Sequence, residues 1–304
     1  MIPEHCRLVF IGTPEFSVPS LEKIIEAGFN VVAVITAPDR PAGRGMKLQA
    51  SAVKQCAVNH HIPVLQPTNL KNPEFLQTLA DLKPDVQVVI AFRMLPEVVW
   101  NLPTMGTINL HASLLPDYRG AAPINRAIMN GEKQTGLTTF RLKHVIDTGN
   151  ILRQLTVDIG ANETAGELHD RMMHLGADLM IETLMGVLDH SLVEQPQVVL
   201  PHHKNAPKIF KDDCLIDWQQ NGNQIINLIR GLSPYPTARC FFQGKILKIY
   251  HAEYDPDSAI QIGEVNLKDD RLAFGCADGV IYPTDVQIEG KRRMSVEEML
   301  RGLR

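Results

Sequence analysis

The chain has 304 residues, a formal net charge of −4 at pH 7, 44% hydrophobic residues and 21% charged residues. This length allows a sizeable core and favours two domains, and the composition is that of a globular protein. The negative net charge argues against nucleic-acid binding through bulk charge, so a polyanionic partner must be held by local basic patches.

The five cysteines are scattered and include no C-x-x-C pair. This usage predicts neither a disulfide framework nor a zinc site, and it is typical of reduced cytoplasmic proteins. No apolar run in the sequence is long enough to span a membrane, and the first residues lack the layout of a secretory signal. We therefore expect a cytoplasmic protein that binds neither metal nor membrane.

Strands and helices alternate through the first half of the chain. Buried apolar runs predict strands at 7–11, 30–36, 63–65, 85–92 and 107–110. Helical spacing of apolar residues predicts helices at 17–27, 51–60, 72–82 and 122–129. This alternation predicts an α/β domain with a doubly wound, mostly parallel, Rossmann-like sheet. A hairpin of 136–142 with 151–159 and a long amphipathic helix at 164–189 complete it.

The sequence changes character at 191–207, where three prolines and little periodicity are typical of a linker. A short helix is predicted at 225–230, and short strands separated by glycines then favour a small, OB-like β-barrel. We therefore expect a catalytic domain at 1–190, a linker at 191–207 and a C-terminal β-barrel domain at 208–304.

A strand that runs into a loop at 108–123 carries the residues that most suggest chemistry. Asn109 and His111 are two positions apart, so both side chains project from the same side of the strand. Asp147 lies in a later loop, and open parallel sheets bind ligands beyond their carboxyl ends. An imidazole with a carboxylate partner accepts a proton near neutral pH, and an amide donates to an oxygen that becomes negative. Such a set suits attack of an amine on a formyl or carbonyl carbon.

Each of these residues alone also fits an ordinary structural role. His111 would be a buried histidine with satisfied hydrogen bonds, Asn109 a hydrogen-bonding residue at a strand edge, and Asp147 a turn residue. No Ser-His-Asp or Cys-His arrangement stands out in the sequence. Direct transfer without a covalent enzyme intermediate is therefore the simpler interpretation.

Motifs along nearly the whole chain resemble the folate-dependent formyltransferases. They include GTPEF at 12–16, PDRPAGRG at 38–45, INLHASLLPDYRGAAPIN at 108–125, DTG at 147–149 and IRGLSPYPTA at 229–238. SLLPDYRGAAP is specific to folate-dependent formyl and hydroxymethyl transfer, and the PDRPAGRG loop and second domain narrow the likeness to the enzymes acting on methionyl-tRNA. The resemblance implies transfer of the formyl group of 10-formyltetrahydrofolate to the α-amine of methionyl initiator tRNA.

The resemblance also implies roles for residues at matching positions. His111 is the expected proton acceptor from the attacking amine, Asn109 the donor to the tetrahedral oxyanion, and Asp147 the group that orients and charges His111. The folate-binding segment is Ser113, Leu114, Leu115 and Pro116, and the expected tRNA-binding residues are Arg40, Arg44, Lys47 and Lys208. Without the resemblance, the basic loop that contains Arg40, Arg44 and Lys47 would be an ordinary solvated loop. Leu114 and Leu115 would then only anchor a turn in the core. We expect a monomer without a metal.

The chain departs from the family pattern at 91–96, where AFRMLP has Arg93 in place of a common glycine. Arg93 could either line the pterin pocket or turn away from it. Three other functions compete with the leading one: formylation of a small amine, non-catalytic RNA binding, and a nucleotide-dependent dehydrogenase. The basic loop and the second domain argue against a small-amine substrate. The presence of Asn109, His111 and Asp147 argues against a non-catalytic RNA-binding protein. A nucleotide-dependent dehydrogenase is disfavoured because the sequence lacks a G-x-G-x-x-G turn after the first strand.

Overall fold

A computed structural model describes residues 2–42, 47–198, 201–268 and 271–302. The chain divides into two compact units. The first contains Met1–Arg119, Gly136–Val157 and Asp170–Lys204, and the second contains Gly120–Thr135, Asp158–His169 and Asn205–Arg304. The boundaries at 190 and 207 expected from the sequence stay a prediction.

The elements of the chain up to the long helix are as follows. The strands are β1 (Arg7–Gly12), β2 (Asn30–Ile35), β3 (Arg40–Ala42), β4 (Lys47–Gln49), β5 (Val64–Leu65), β6 (Val86–Ile90), β7 (Thr107–His111), β8 (Arg119–Gly120), β9 (Gln134–Arg141) and β10 (Ile151–Asp158). The helices are α1 (Val18–Glu26), α2 (Ala52–Asn59), α3 (Pro73–Asp81), α4 (Glu97–Trp100), α5 (Pro123–Met129) and α6 (Ala165–Leu188). A 3₁₀ turn at Glu15–Ser17 precedes α1.

The first unit is built on a seven-stranded sheet in the order β10-β9-β7-β6-β1-β2-β5. Strands β5, β2, β1, β6 and β7 run parallel to one another, whereas β9 is antiparallel to β7. Every residue of the central strand β6 is buried, including the polar Gln87, as expected of a parallel strand that is covered on both faces. This sheet confirms the predicted fold class, and its strand order reverses between β1 and β6.

The second unit contains an antiparallel sheet that curls into a half-barrel. Its elements are β11 (Asn205–Ala206), α7 (Gly222–Leu232), β12 (Ala238–Phe242), β13 (Lys245–Asp255), β14 (Val265–Lys268), β15 (Arg271–Cys276), β16 (Gly279–Ile288), β17 (Met294–Ser295) and α8 (Val296–Arg301). The strand order is β12-β13-β16-β15-β14, and β17 pairs with β16. The Trp218 ring stacks on Phe274 at a centroid distance of 4.6 Å.

Three local features were not predicted from the sequence. The loop after β2 contains the antiparallel pair β3–β4, which lacks an apolar alternation. Helix α7 is longer than expected, because the side chain of Asn221 accepts from the backbone of Gln224 and the Gln224 side chain returns the bond, which is a capping box. The helices α4 and α8 were also not predicted, because they are too short to show a helical period in the sequence.

Candidate active site

A cavity of about 510 Å³ opens where β1, β2 and β6 end. It is lined by Thr13 and Pro14 after β1, by Ala37, Pro38 and Arg40 after β2, by Ala91, Phe92 and Arg93 after β6, and by Gln49, Ala50 and Ser51. Open α/β sheets bind ligands at the point where the strand order reverses, which here lies between β1 and β6. The volume and the mixed apolar and polar lining are those of a small-molecule site.

Side-chain hydrogen bonds fix two walls of this cavity. The buried Ser17 hydroxyl donates to the carbonyl of Ile90 at 2.8 Å, which ties the turn after β1 to the end of β6. The Asp39 carboxylate accepts from Lys54 Nζ at 2.6 Å and from Gln66 Nε2 at 2.8 Å. These hydrogen bonds, the one from Lys54 foremost, lower the pKa of Asp39 below its usual range. The start of the basic loop is thereby anchored.

Arg93 is among the residues that line this cavity. Its guanidinium also donates to two backbone carbonyls, from Nη1 to Thr68 at 3.0 Å and from Nη2 to Pro67 at 2.5 Å. The side chain therefore holds the loop after β6 against the 67–68 segment.

His111 is the last residue of β7, and its imidazole has two polar neighbours. Nε2 lies 2.8 Å from the carbonyl oxygen of Tyr118. Because a carbonyl oxygen only accepts hydrogen bonds, Nε2 carries the hydrogen and Nδ1 carries the lone pair of the neutral ring. Nδ1 faces Asp147 Oδ2 at 4.0 Å, and the two side chains are 9% and 13% exposed. The structure thus brings His111 and Asp147 together, as expected.

Asn109 lies two residues before His111 on the same face of β7 and is half-buried. Its side-chain amide has no hydrogen-bond partner among the residues that the structure describes. The register pairs Val89 with Asn109 and Ile90 with Leu110, so this strand end adjoins the cavity wall that follows β6. Asn109 itself is not among the residues that line the cavity, but a half-buried amide without a protein partner is available to a ligand.

The loop that carries Asp147 packs directly on the end of β9. Asp147 has a φ of 53°, in the left-handed region that aspartate tolerates better than most residues. A Cβ on Gly149 would lie 1.5 Å from the carbonyl oxygen of Arg141. Only glycine allows this approach, which sets how far the Asp147 carboxylate reaches toward His111.

We expect Gly149→Ala to displace this loop. Because the clash is with backbone, the chain must shift, and the free energy of unfolding should fall by about 1–3 kcal/mol. The rate of catalysis per folded molecule should fall as well, since Asp147 moves with the loop. Urea unfolding and a turnover assay measure both effects. Gly302→Ala is the matched control, because its new Cβ meets nothing closer than 3.5 Å; equal activity of both variants contradicts the prediction.

The segment Ser113–Pro116 is held by polar side chains that the sequence did not single out. Thr138 Oγ1 donates to the carbonyl of Ser113 at 2.7 Å and accepts from the backbone N–H of Leu115 at 3.1 Å. Gln154 Nε2 donates to the carbonyl of Leu115 at 2.9 Å. Ser113 and Leu115 are buried, so Leu114 and Pro116, which are half-buried, are its more accessible members. Sequence reasoning missed Thr138 and Gln154 because single polar residues within strands form no recognisable motif.

The residues expected to bind tRNA are placed as follows. Arg40 is exposed and lines the cavity, whereas Arg44 lies outside the described residues and Lys47 is described only by its backbone at the start of β4. Lys208 belongs to the second unit and is exposed, with Nζ 5.7 Å from the centroid of the Phe210 ring.

Residues 194–195, within the segment expected to be a linker, are bonded to the start of β10. The backbones of Gln195 and Ile151 exchange two hydrogen bonds at 2.7 and 2.9 Å. The Glu194 carboxylate accepts from Arg141 Nε and from Asn150 Nδ2. Burial raises the pKa of Glu194, but these two bonds outweigh it, and the pKa is lowered overall.

We expect Glu194→Gln to be less stable than the unsubstituted chain at pH 7. A carboxyl group whose pKa is lowered by folding stabilises the folded state above its unfolded pKa, and this stabilisation is lost as the pH falls through the folded value. The difference between the two proteins should therefore close below pH of about 4. Urea unfolding at several pH values measures it. Glu26→Gln, at an exposed position, should show no such trend, and a constant gap for Glu194→Gln would contradict the assignment.

Comparison with known proteins decides the family. Residues 6–184 match the family model described as formyl transferase, and residues 208–304 match the one described as formyl transferase, C-terminal domain. The chain belongs to the formyl transferase family. In this family member, the described residues contain neither a helix long and apolar enough to cross a membrane nor a cluster of metal-ligating side chains.

Relatives with high identity match this formyl transferase along nearly its whole length. A methionyl-tRNA formyltransferase of Bacteroides fragilis is 46% identical over 312 residues, covering 99% of this chain and 96% of the relative. One of Parabacteroides distasonis is 47% identical over 316 residues, covering 100% and 98%. One of Flavobacterium johnsoniae is 46% identical over 305 residues, covering 99% and 97%.

Solved structures of lower identity share the fold. An N-formyltransferase from Helicobacter canadensis, in complex with folinic acid and dTDP-3-aminofucose, has a TM-score of 0.70 at 21% identity, covering 91% of this chain and 98% of that one. HypX from Aquifex aeolicus, in complex with tetrahydrofolic acid, has a TM-score of 0.67 at 19% identity, covering 97% of this chain and 47% of that one. This formyl transferase therefore spans about half of HypX.

Proposed function

We propose that this formyl transferase moves the formyl group of 10-formyltetrahydrofolate to the α-amine of methionyl initiator tRNA, which supplies formylmethionyl-tRNA for translation initiation. The observation that carries the proposal is the 46–47% identity, over nearly the full length, to proteins named methionyl-tRNA formyltransferase. The polar groups around β7 support it, because they suit attack by an amine on a formyl carbon.

In the proposed reaction, His111 takes the proton of the attacking amine on Nδ1. A bond forms between the amine nitrogen and the formyl carbon, and the bond from that carbon to the donor nitrogen breaks. The donor nitrogen leaves with one proton, which balances the proton taken by His111 and returns the imidazole to its neutral form. The hydrogen bond from Nε2 to Tyr118 leaves the Nδ1 lone pair free for this task. The imidazolium that results faces the Asp147 carboxylate, 4.0 Å away in the absence of substrates, which orients the ring and stabilises its charge.

Asn109 is proposed as the donor to the formyl oxygen, on which negative charge develops. Its amide N–H₂ groups have no protein acceptor among the described residues, so they need not break a bond to serve the reaction. A donor that is already in place stabilises a developing charge without reorganisation.

The cysteines support direct transfer without a covalent thioester. All five are buried, and burial foremost raises the pKa of Cys6 and Cys56 to about 11 and that of Cys240 to about 12. Thiols of this kind are not thiolates near neutral pH, and the thiolate is the nucleophile.

The cavity between β1 and β6 fits the folate donor. It combines apolar walls at Pro14, Pro38 and Phe92 with the polar side chains of Thr13 and Arg93, as a flat ring with a polar edge requires. Leu114 and Pro116, the more accessible residues of the folate segment, are proposed to add apolar contact, with Ser113 and Leu115 shaping the turn beneath them. When bound, the donor supplies the activated formyl carbon.

The basic residues Arg40, Arg44, Lys47 and Lys208 are proposed to contact tRNA phosphates. We expect Arg44→Ala to raise the KM for tRNA, to reduce the salt dependence of that KM by about one phosphate contact, and to leave the KM for the folate donor unchanged. Formylation rates at rising salt measure this. Lys71→Ala removes a charge from another exposed position and should behave like the unsubstituted protein. An equal salt slope for both variants argues against the assignment.

A direct test of the function offers three acceptors to the purified protein with labelled 10-formyltetrahydrofolate. Methionyl initiator tRNA should become labelled in its methionine, methionyl elongator tRNA far less, and free small amines not at all. Transfer only to a small amine would overturn the proposal. We further propose that the protein acts in the cytoplasm, where translation begins, and as a monomer, which sedimentation at assay concentrations tests.

A further inference from the structure

The side chain of Gln197 joins the loop that carries Asp147 to Arg119, the first residue of β8. Its Nε2 donates to the backbone carbonyls of Asp147 at 2.9 Å and Gly149 at 2.8 Å. Its Oε1 accepts from Nε and Nη2 of Arg119 at 3.2 and 2.5 Å. A glutamine amide offers two N–H donors and one oxygen with two lone pairs. These four hydrogen bonds therefore use its whole capacity.

The two segments that Gln197 joins hold opposite sides of the His111 imidazole. Arg119 directly follows Tyr118, whose carbonyl oxygen accepts from His111 Nε2 at 2.8 Å. Asp147 presents its carboxylate to His111 Nδ1 at 4.0 Å. The Arg119–Gln197 contact thus ties the carbonyl on one side of the ring to the carboxylate on the other.

Gln197 itself stands on fixed backbone. Two residues earlier, Gln195 exchanges two backbone hydrogen bonds with Ile151, and Glu194 accepts from Asn150 and Arg141. The Asp147 loop is also held in place, because Gly149 lies directly against the carbonyl oxygen of Arg141. The loop is therefore held by close packing on one side and by the Gln197 amide on the other.

We infer that Gln197, oriented by Arg119, is a positioning residue that places the Asp147 carboxylate relative to His111. The inference rests on the proposed role of Asp147. Misplacement of a reacting group by about 1 Å can cost about 100-fold in rate. Loss of the Gln197 amide therefore lowers kcat and leaves the KM of both substrates unchanged, because it removes alignment of the base rather than substrate binding.

The first experiment compares three variants of the full-length protein. Gln197→Ala is expected to lower kcat by about 10- to 100-fold. Gln197→Glu retains the size of the side chain and the bond to Arg119 but loses both donors, so its kcat should fall similarly in a folded protein. Gln195→Ala is the matched control, because it removes an exposed glutamine side chain from the same segment and should keep the unsubstituted kcat. Thermal unfolding of each variant measures the folded fraction.

A double-mutant cycle separates positioning from a merely structural role. In an Asp147→Ala background, Gln197→Ala should change kcat by less than about twofold, because the group that it positions is already gone. The same fold-loss in both backgrounds, or a kcat of Gln197→Ala equal to that of Gln195→Ala, overturns the inference. If Asp147→Ala alone has the same kcat as the unsubstituted protein, the proposed catalytic role of Asp147 is wrong, and the inference about Gln197 falls with it.

Discussion

His111→Ala is expected to lower the rate constant of formyl transfer by about 10²- to 10⁴-fold, the range that a positioned general base contributes. The substitution removes Nδ1, which carries the lone pair and faces Asp147. Single-turnover formylation of methionyl initiator tRNA measures the loss independently of product release. Because alanine also leaves the Tyr118 carbonyl without its donor, we expect a loss of stability of about 1–3 kcal/mol, which does not unfold the protein.

A second substitution separates the loss of the base from the loss of the hydrogen bond. His111→Gln supplies an amide N–H for the Tyr118 carbonyl but has no group that accepts the proton at neutral pH, so it should be as inactive as His111→Ala and more stable. His60→Ala, which removes an exposed histidine, should retain full activity. Near-normal turnover in folded His111→Ala would show that the base lies elsewhere.

Asn109→Ala is expected to lower kcat by about 10²- to 10³-fold, as the loss of one oxyanion donor does. The fold should be nearly unaffected, because the amide has no hydrogen-bond partner among the described residues that would be left unpaired. A large fall in kcat with an unchanged free energy of unfolding is therefore the expected signature. Steady-state kinetics and urea unfolding on the same preparation provide both values.

Two further variants define the role of the amide. Asn109→Asp replaces the donor with a negative acceptor of nearly the same shape and should be at least as slow as Asn109→Ala. Asn59→Ala removes an exposed asparagine at the end of α2 and should behave like the unsubstituted protein. If Asn109→Ala loses stability but keeps its kcat per folded molecule, the residue is structural.

The sequence was informative about the sheet because burial leaves a local pattern. The apolar runs of β1, β2 and β6 and the helical spacing of α1, α3 and α6 are visible within each segment. The pair β3–β4 was missed because a basic, glycine-rich loop has no alternation that signals a strand. The pairing of Gln195 with Ile151 was missed because a proline-rich segment reads as a linker, and a single pair of backbone hydrogen bonds needs no particular side chains.

The candidate site was predictable only where its residues are close in the sequence. Asn109 and His111 stand two apart on one strand, so their shared face follows from strand geometry. The approach of Asp147 to His111 depends on how a distant loop packs at Gly149. Spacing does not reveal that packing, and the expectation came from the shared sheet edge and from the resemblance. Tyr118 takes part through its carbonyl oxygen, which every residue has. Gln197 acts through a contact with Arg119 that is distant in sequence, so no local motif marks it.

Rapid-quench analysis of a single turnover tests the account most directly. Enzyme, labelled 10-formyltetrahydrofolate and methionyl initiator tRNA are mixed, and label is followed in the protein and tRNA fractions for the unsubstituted chain and for His111→Ala. We predict that label passes from the donor to methionyl-tRNA without appearing on the protein, and that His111→Ala slows this step by about 10²-fold or more. Label that appears first on the protein, or equal rates for the two proteins, would contradict direct transfer assisted by His111.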